Sequence, residues 1–146
     1  MTKTVPVLVE RTYSASLDAV WDALTDKTKI KAWYFEIPDF EPKEGAEFEF
    51  YEPGDAKRYR HHCKILDVKP KELLRYSWAH PSHSEGSSVV SWHLMPRGSA
   101  TTVRLVHEGV ENFSDAGDNF ARAKYEKGWN TILSASLAHF LEENGR

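Results

Sequence analysis

From Asp118 to Glu143 the chain reads DNFARAKYEKGWNTILSASLAHFLEE, and this stretch decides the fold. Tyr125, Trp129, Ile132, Leu133, Phe140 and Leu141, together with Ser136, recur at helical spacing and share one broad face. At 1.5 Å per residue a helix over this stretch runs roughly 39 Å, enough to cross a whole sheet. Asn144-Gly145 supplies its stop signal.

Upstream the dominant period is two. Val5 to Tyr13 is rich in β-branched residues and reads as a first strand. Phe48 and Phe50 alternate with Glu47, Glu49 and Glu52 as far as Pro53-Gly54. Arg58 to Val68 forms the next run, stopped by Pro70. Leu74, Tyr76 and Trp78 alternate in another, and Val90, Trp92 and Leu94 in the one after, ended by Pro96 and Gly98. Val103, Leu105 and His107 alternate in the last. Between the first strand and this meander lie two short helices. Ser16 is placed to cap the one carrying Val20, Trp21 and Leu24, and Thr25 or Asp26 the one carrying Ile30 and Trp33. The expected fold is α+β: a curved antiparallel sheet of about six strands wrapped around a long C-terminal helix, in one domain over residues 1–146.

Composition narrows the partner. A chain of 146 residues buries roughly 68–70% of its unfolded surface, enough for a core without staples. The formal net charge is −3 with acids and bases interspersed, which argues against nucleic acid. A lone cysteine, Cys63, allows no intrachain disulfide. The apolar run Val7 to Val9 is too short for a signal peptide or a membrane span, so a cytoplasmic location is expected.

Several stretches carry a family resemblance. Ser16-Leu17-Asp18-Ala19-Val20-Trp21-Asp22-Ala23-Leu24-Thr25 is similar to the opening helix of START-like helix-grip proteins, and Lys31-Ala32-Trp33-Tyr34 to the tryptophan closing their second helix. Phe40 to Phe48 resembles the turn into their second strand. Leu73 to Trp78 and Thr101 to His107 resemble two later strands, and Gly128-Trp129 with Ile132, Leu133 and Leu137 the closing helix. Together they resemble, over about Val7 to Glu143, the family of homologues of the activator of the ninety-kilodalton heat-shock chaperone's ATPase, within the START-like (SRPBCC) superfamily. The activator carries a separate N-terminal domain, whereas this sequence starts directly at the START-like part. The resemblance therefore implies a module related to chaperone cofactors, with ATPase activation itself not expected. It equally implies a ligand cavity between sheet and helix, and in some superfamily members an enzyme acting on a polyketide-like ring.

Alternation turns Phe48, Phe50, Trp78, Trp92, Leu94 and Leu105 toward Trp129, Ile132, Leu133 and Phe140 of the helix. These residues either fill a core or line a pocket for a small hydrophobic or aromatic molecule. Gly128 beside Trp129 suggests that sheet or ligand packs closely there. His107 shares the inward parity, where it would orient a ligand or exchange protons near neutral pH. Tyr59 and Tyr76 would add hydroxyl contacts, and Tyr125 a further ring. The aromatic run Trp33, Tyr34, Phe35 and Ile37, with the loop Asn112 to Asn119, reads as a lid over the pocket mouth or a protein-contact patch, with Trp33 itself more simply packed in the core.

No metal or cofactor is expected. His61 and His62 point to opposite faces of their strand, and His80 and His83 fall in a Ser-rich loop where solvation is the default. Glu10, Glu47 and Glu49 read as solvated strand residues, Cys63 as a small thiol, and no nucleophile elbow or phosphate loop is present. Three readings stay open: a hydrophobic-ligand binder, a protein-interaction module, and an enzyme using His107 with a tyrosine.

Overall fold

The alternating strands assemble, in a computed structural model, into one antiparallel sheet ordered β1-β6-β5-β4-β3-β2. The structure describes residues 6–34, 37, 40–51, 60–80, 85–116 and 122–144. The strands are β1 (Val7–Tyr13), β2 (Glu47–Tyr51), β3 (Arg60–Lys69), β4 (Leu73–Ala79), β5 (Ser87–Arg97) and β6 (Ala100–Glu108). The stop at Pro53-Gly54 lies outside the described residues. Pro96 does not end β5 as expected: it sits inside the strand opposite Thr101, one pair before the hairpin turn. A proline is tolerated at such a terminal position, where little of the ladder is lost.

Two short helices, α1 (Leu17–Thr25) and α2 (Lys27–Trp33), follow β1. The Ser16 hydroxyl accepts from the Ala19 amide, and Asp26 accepts from Thr28 and Lys29, so both starts are side-chain capped. Of the two candidates for the second cap, Asp26 is the one used. The start of the loop expected from Asn112 is instead a 3₁₀ helix (Val110–Ala116), which buries Val110 and Phe113.

The closing helix runs over the described residues as α3 (Arg122–Thr131), a π-helical segment (Ile132–Leu137) and α4 (Ala138–Asn144). Its buried row is Trp129, Leu133, Leu137 and Leu141, each four residues apart. In an α-helix four residues overshoot one turn by about 40°, so such a row winds away from its target. The wider π turn takes up the overshoot and holds the row over the sheet. Leu137 thus takes the place expected for Ser136, and Ile132 and Phe140 are only half-buried. Gly128 corrects another expectation, since nothing lies within 4 Å of where its Cβ would stand. The close approach is instead at Gly86, where a Cβ would collide with the Asn112 carbonyl oxygen.

Candidate functional site

Two layers lie between sheet and helix, one polar and one aromatic. The polar layer starts at the inner face of β6. Trp129 Nε1–H donates to His107 Nδ1 at 2.9 Å, which makes Nδ1 the acceptor of a neutral ring. The remaining ring proton then sits on Nε2 and donates to Ser88 Oγ at 2.7 Å, and Ser88 donates in turn to the Trp78 carbonyl at 3.3 Å. Burial depresses the His107 pKa to about 3. Neutral and held at both nitrogens, His107 offers no acid–base function near neutral pH.

A second strand of this layer joins β4 to α3. His80 Nε2 accepts from Trp78 Nε1 at 3.1 Å and lies 2.7 Å from the Tyr125 hydroxyl. His80 was expected in solvent and is buried instead. The inward parity of Leu74, Tyr76 and Trp78 continues one step past the strand, and that continuation was the readable signal. Phe113 meets its ring edge-on at 4.8 Å. His83 lies outside the described residues.

His61 and His62 separate as alternation requires. His61 turns inward and stacks flat on Phe50, with ring centres 4.5 Å apart. His62 faces outward, with each ring nitrogen 2.9 Å from a carboxylate oxygen, of Glu49 on one side and Glu47 on the other. Neither glutamate is merely solvated. Glu10 likewise pairs with Arg104 across the β1–β6 ladder at 2.7 Å. Cys63 is fully buried on β3, and that burial pushes its thiol pKa up and keeps it protonated. Among the described residues no three His, Cys, Asp or Glu side chains are grouped to hold a metal ion.

The aromatic layer lies beside this seam. Trp129 sits 5.5 Å from Trp78 and 5.7 Å from Trp92, and stacks with Tyr34 at 6.4 Å. Protein rings therefore occupy the space next to Trp129. A void of about 20 Å³ remains between Trp33 and Tyr34 on one side and Phe48, Tyr76 and Trp92 on the other. That is room for one water-sized group. Leu24, Ile30, Ile37, Phe40 and Leu74 complete its wall.

The expected site residues thus fall into three sets. Trp33, Phe48, Tyr76 and Trp92 line the void, while Phe50, Trp78, His107, Tyr125 and Trp129 form the adjoining layer. Leu94, Leu105 and Leu133 are buried away from the void, and Ile132 is half-buried. Phe35 and Tyr59 lie outside the described residues. The contact-patch expectation for the Trp33 segment changes too. Trp33 and Ile37 are core, with Trp33 Nε1 donating to the Ala23 carbonyl at 2.8 Å. Tyr34, half-buried at the α2 C-terminus and expected as part of a lid, lines the void. Phe40 and Leu74 line it without having been expected there. Leu74 is readable from its parity with Tyr76, whereas Phe40 is not, because it flanks an irregular segment.

Comparison with known proteins agrees with this architecture. The model of the family described as Activator of Hsp90 ATPase homolog 1-like protein matches residues 14–142. Protein MLL2253 from Mesorhizobium loti is 26% identical, with 94% of this chain and 97% of that one covered at a TM-score of 0.76. Mll3558 from Rhizobium loti is 24% identical over 93% and 96% of the two chains, with a TM-score of 0.80. DynU16, a putative protein in the dynemicin biosynthetic locus, is 23% identical and has a TM-score of 0.77, over 95% of this chain and 48% of that one. No curated protein matches the sequence.

Proposed function

We propose, from the premise that the chain belongs to the Activator of Hsp90 ATPase homolog 1-like family, that it binds a small hydrophobic or aromatic molecule between its sheet and its helices. The observation that carries this reading is the aromatic-walled void, bordered by six rings, Phe40 and five drawn from α2 and its C-terminus, β2, β4 and β5. At about 20 Å³ it is too small for such a molecule, so entry requires a wall to move. Tyr34 is the wall best able to do so. It is half-buried and ends α2, and its ring stacks on Trp33 and Trp129 and meets Phe50 at a tilt. Each such ring pair is worth about 0.5–1.5 kcal/mol, which a ligand ring taking the same place restores.

Magnitudes bound the affinity. Burying about 300 Å² of apolar ligand at roughly 25 cal/mol/Å² yields about 7.5 kcal/mol. Association costs about 4–15 kcal/mol, so apolar contact alone gives weak binding. No catalytic step is assigned to His107, which with both ring nitrogens engaged cannot serve as a base.

Native mass spectrometry of protein purified from its own host tests the reading, followed by titration with aromatic compounds read by tryptophan fluorescence. A co-purified small molecule, or saturable quenching in the micromolar to millimolar range, is expected. Neither a bound molecule nor a saturable signal would sink it.

A protein-contact module is the competing reading, and one observation favours it. On the outer sheet face Leu8 is 57% exposed beside Val106, and the two border a groove with Leu17, Met95 and Pro96. Chemical-shift changes confined to Leu8 and Val106 on adding the heat-shock chaperone, in a protein that refuses every aromatic probe, would select it.

A further inference from the structure

The Tyr76 hydroxyl is fully buried in the inner face of β4 and accepts one hydrogen bond, from Trp92 Nε1 at 2.9 Å. An indole N–H only donates, so Trp92 cannot take the phenolic proton in return. Among the described residues no acceptor for that proton lies within hydrogen-bonding distance. Both side chains border the void. Buried donors are satisfied in the great majority of cases, and leaving one unmade costs more than one made hydrogen bond typically contributes.

We infer that Tyr76 is the specificity-determining residue of this pocket, and that it selects ligands presenting a neutral hydrogen-bond acceptor, a carbonyl or ether oxygen, attached to an aromatic or alicyclic body. The inference rests on the pocket reading above and adds the chemistry of what enters. Burial raises the Tyr76 pKa well above the ordinary phenol value, so the group remains a donor and its partner must accept. The acceptor must also be uncharged. Among the described residues the wall consists of aliphatic and aromatic side chains with no cation, so a carboxylate or phosphate there would be an uncompensated buried charge. A ligand offering only donors would leave the Tyr76 proton without an acceptor.

A matched pair of probes tests this: 2-acetylnaphthalene, and 2-isopropenylnaphthalene, in which a methylene group replaces the carbonyl oxygen. Wild-type protein is expected to bind the ketone about 3- to 10-fold more tightly, the ratio one net hydrogen bond supplies. Tyr76→Phe should abolish that ratio while still binding both hydrocarbon bodies. Trp92→Phe, which leaves the phenol in place, should preserve it. Because Tyr76→Phe strands the Trp92 N–H and can impair folding, the ¹³C shift of carbonyl-labelled ketone bound to wild type gives an independent readout. It should lie downfield of its value in hydrocarbon solvent. Equal affinity for the two probes overturns the inference and leaves the pocket standing, as does an unshifted carbonyl or a ratio that survives in folded Tyr76→Phe. Failure of both probes to bind removes the pocket reading itself.

Discussion

His107 gives up its charge on folding. In the unfolded chain its pKa is the ordinary 6.5, and in the folded protein burial lowers it to about 3. Above pH 6.5 the ring is neutral in both states and its contribution is complete. As pH falls toward 3 the unfolded state takes up a proton that the folded state refuses, so stability declines by about 1.4 kcal/mol per pH unit. Urea denaturation between pH 7 and pH 4 should show a shallower acid decline in His107→Gln than in wild type. Identical slopes would remove His107 as the cause. Strand alternation made the inward direction of this residue legible. Its neutrality was not, because that depends on burial beneath residues remote in the chain, Trp129 and Ser88, 22 and 19 positions away, among them.

At the scale of elements, the C-terminal helix joins a readable part to an unreadable one. The helical period and the row of large apolar residues lie on the surface of the sequence, as do the Ser16 and Asp26 caps. The π segment does not, because its register is imposed by the sheet beneath it. Tyr13 of β1 takes part in that imposition. Its hydroxyl donates to the Leu133 carbonyl at 2.6 Å, inside the segment where the α-helical ladder changes step. On the exposed flank Arg11 reaches Ser134 at 2.9 Å and Asn130 at 2.8 Å. Tyr13→Phe should therefore cost about 0.5–1.5 kcal/mol and speed amide exchange selectively over Ile132–Leu137. Unchanged exchange there would show that the π segment stands without β1.

At the scale of the whole molecule, sheet, α2 and closing helix share one aromatic interior. A ligand that enters it binds the folded state alone. At a hundredfold excess over its dissociation constant such a ligand adds about 2.7 kcal/mol. For a chain of this length that corresponds to a rise in Tm of about 5–10 °C. Thermal denaturation with the ketone probe at saturation should show this shift, with no rise for an aliphatic alcohol of similar size. An equal rise for both would point to nonspecific surface binding.

The sequence alone determined the order of strands and helices, the inward parity of Phe48, Tyr76, Trp78, Trp92 and His107, and the Ser16 cap, with the second cap narrowed to Thr25 or Asp26. All of these are local consequences of a period or of a hydrogen bond spanning three residues. Only the tertiary structure decided that His80 is buried, that Gly128 is open, and that a small void lined by Tyr34 and Tyr76 remains among the described residues. Parity gives the direction of a side chain but not the distance to the opposite wall. The space left over is a small difference between large packed volumes, and residues remote in the chain contribute to every part of it.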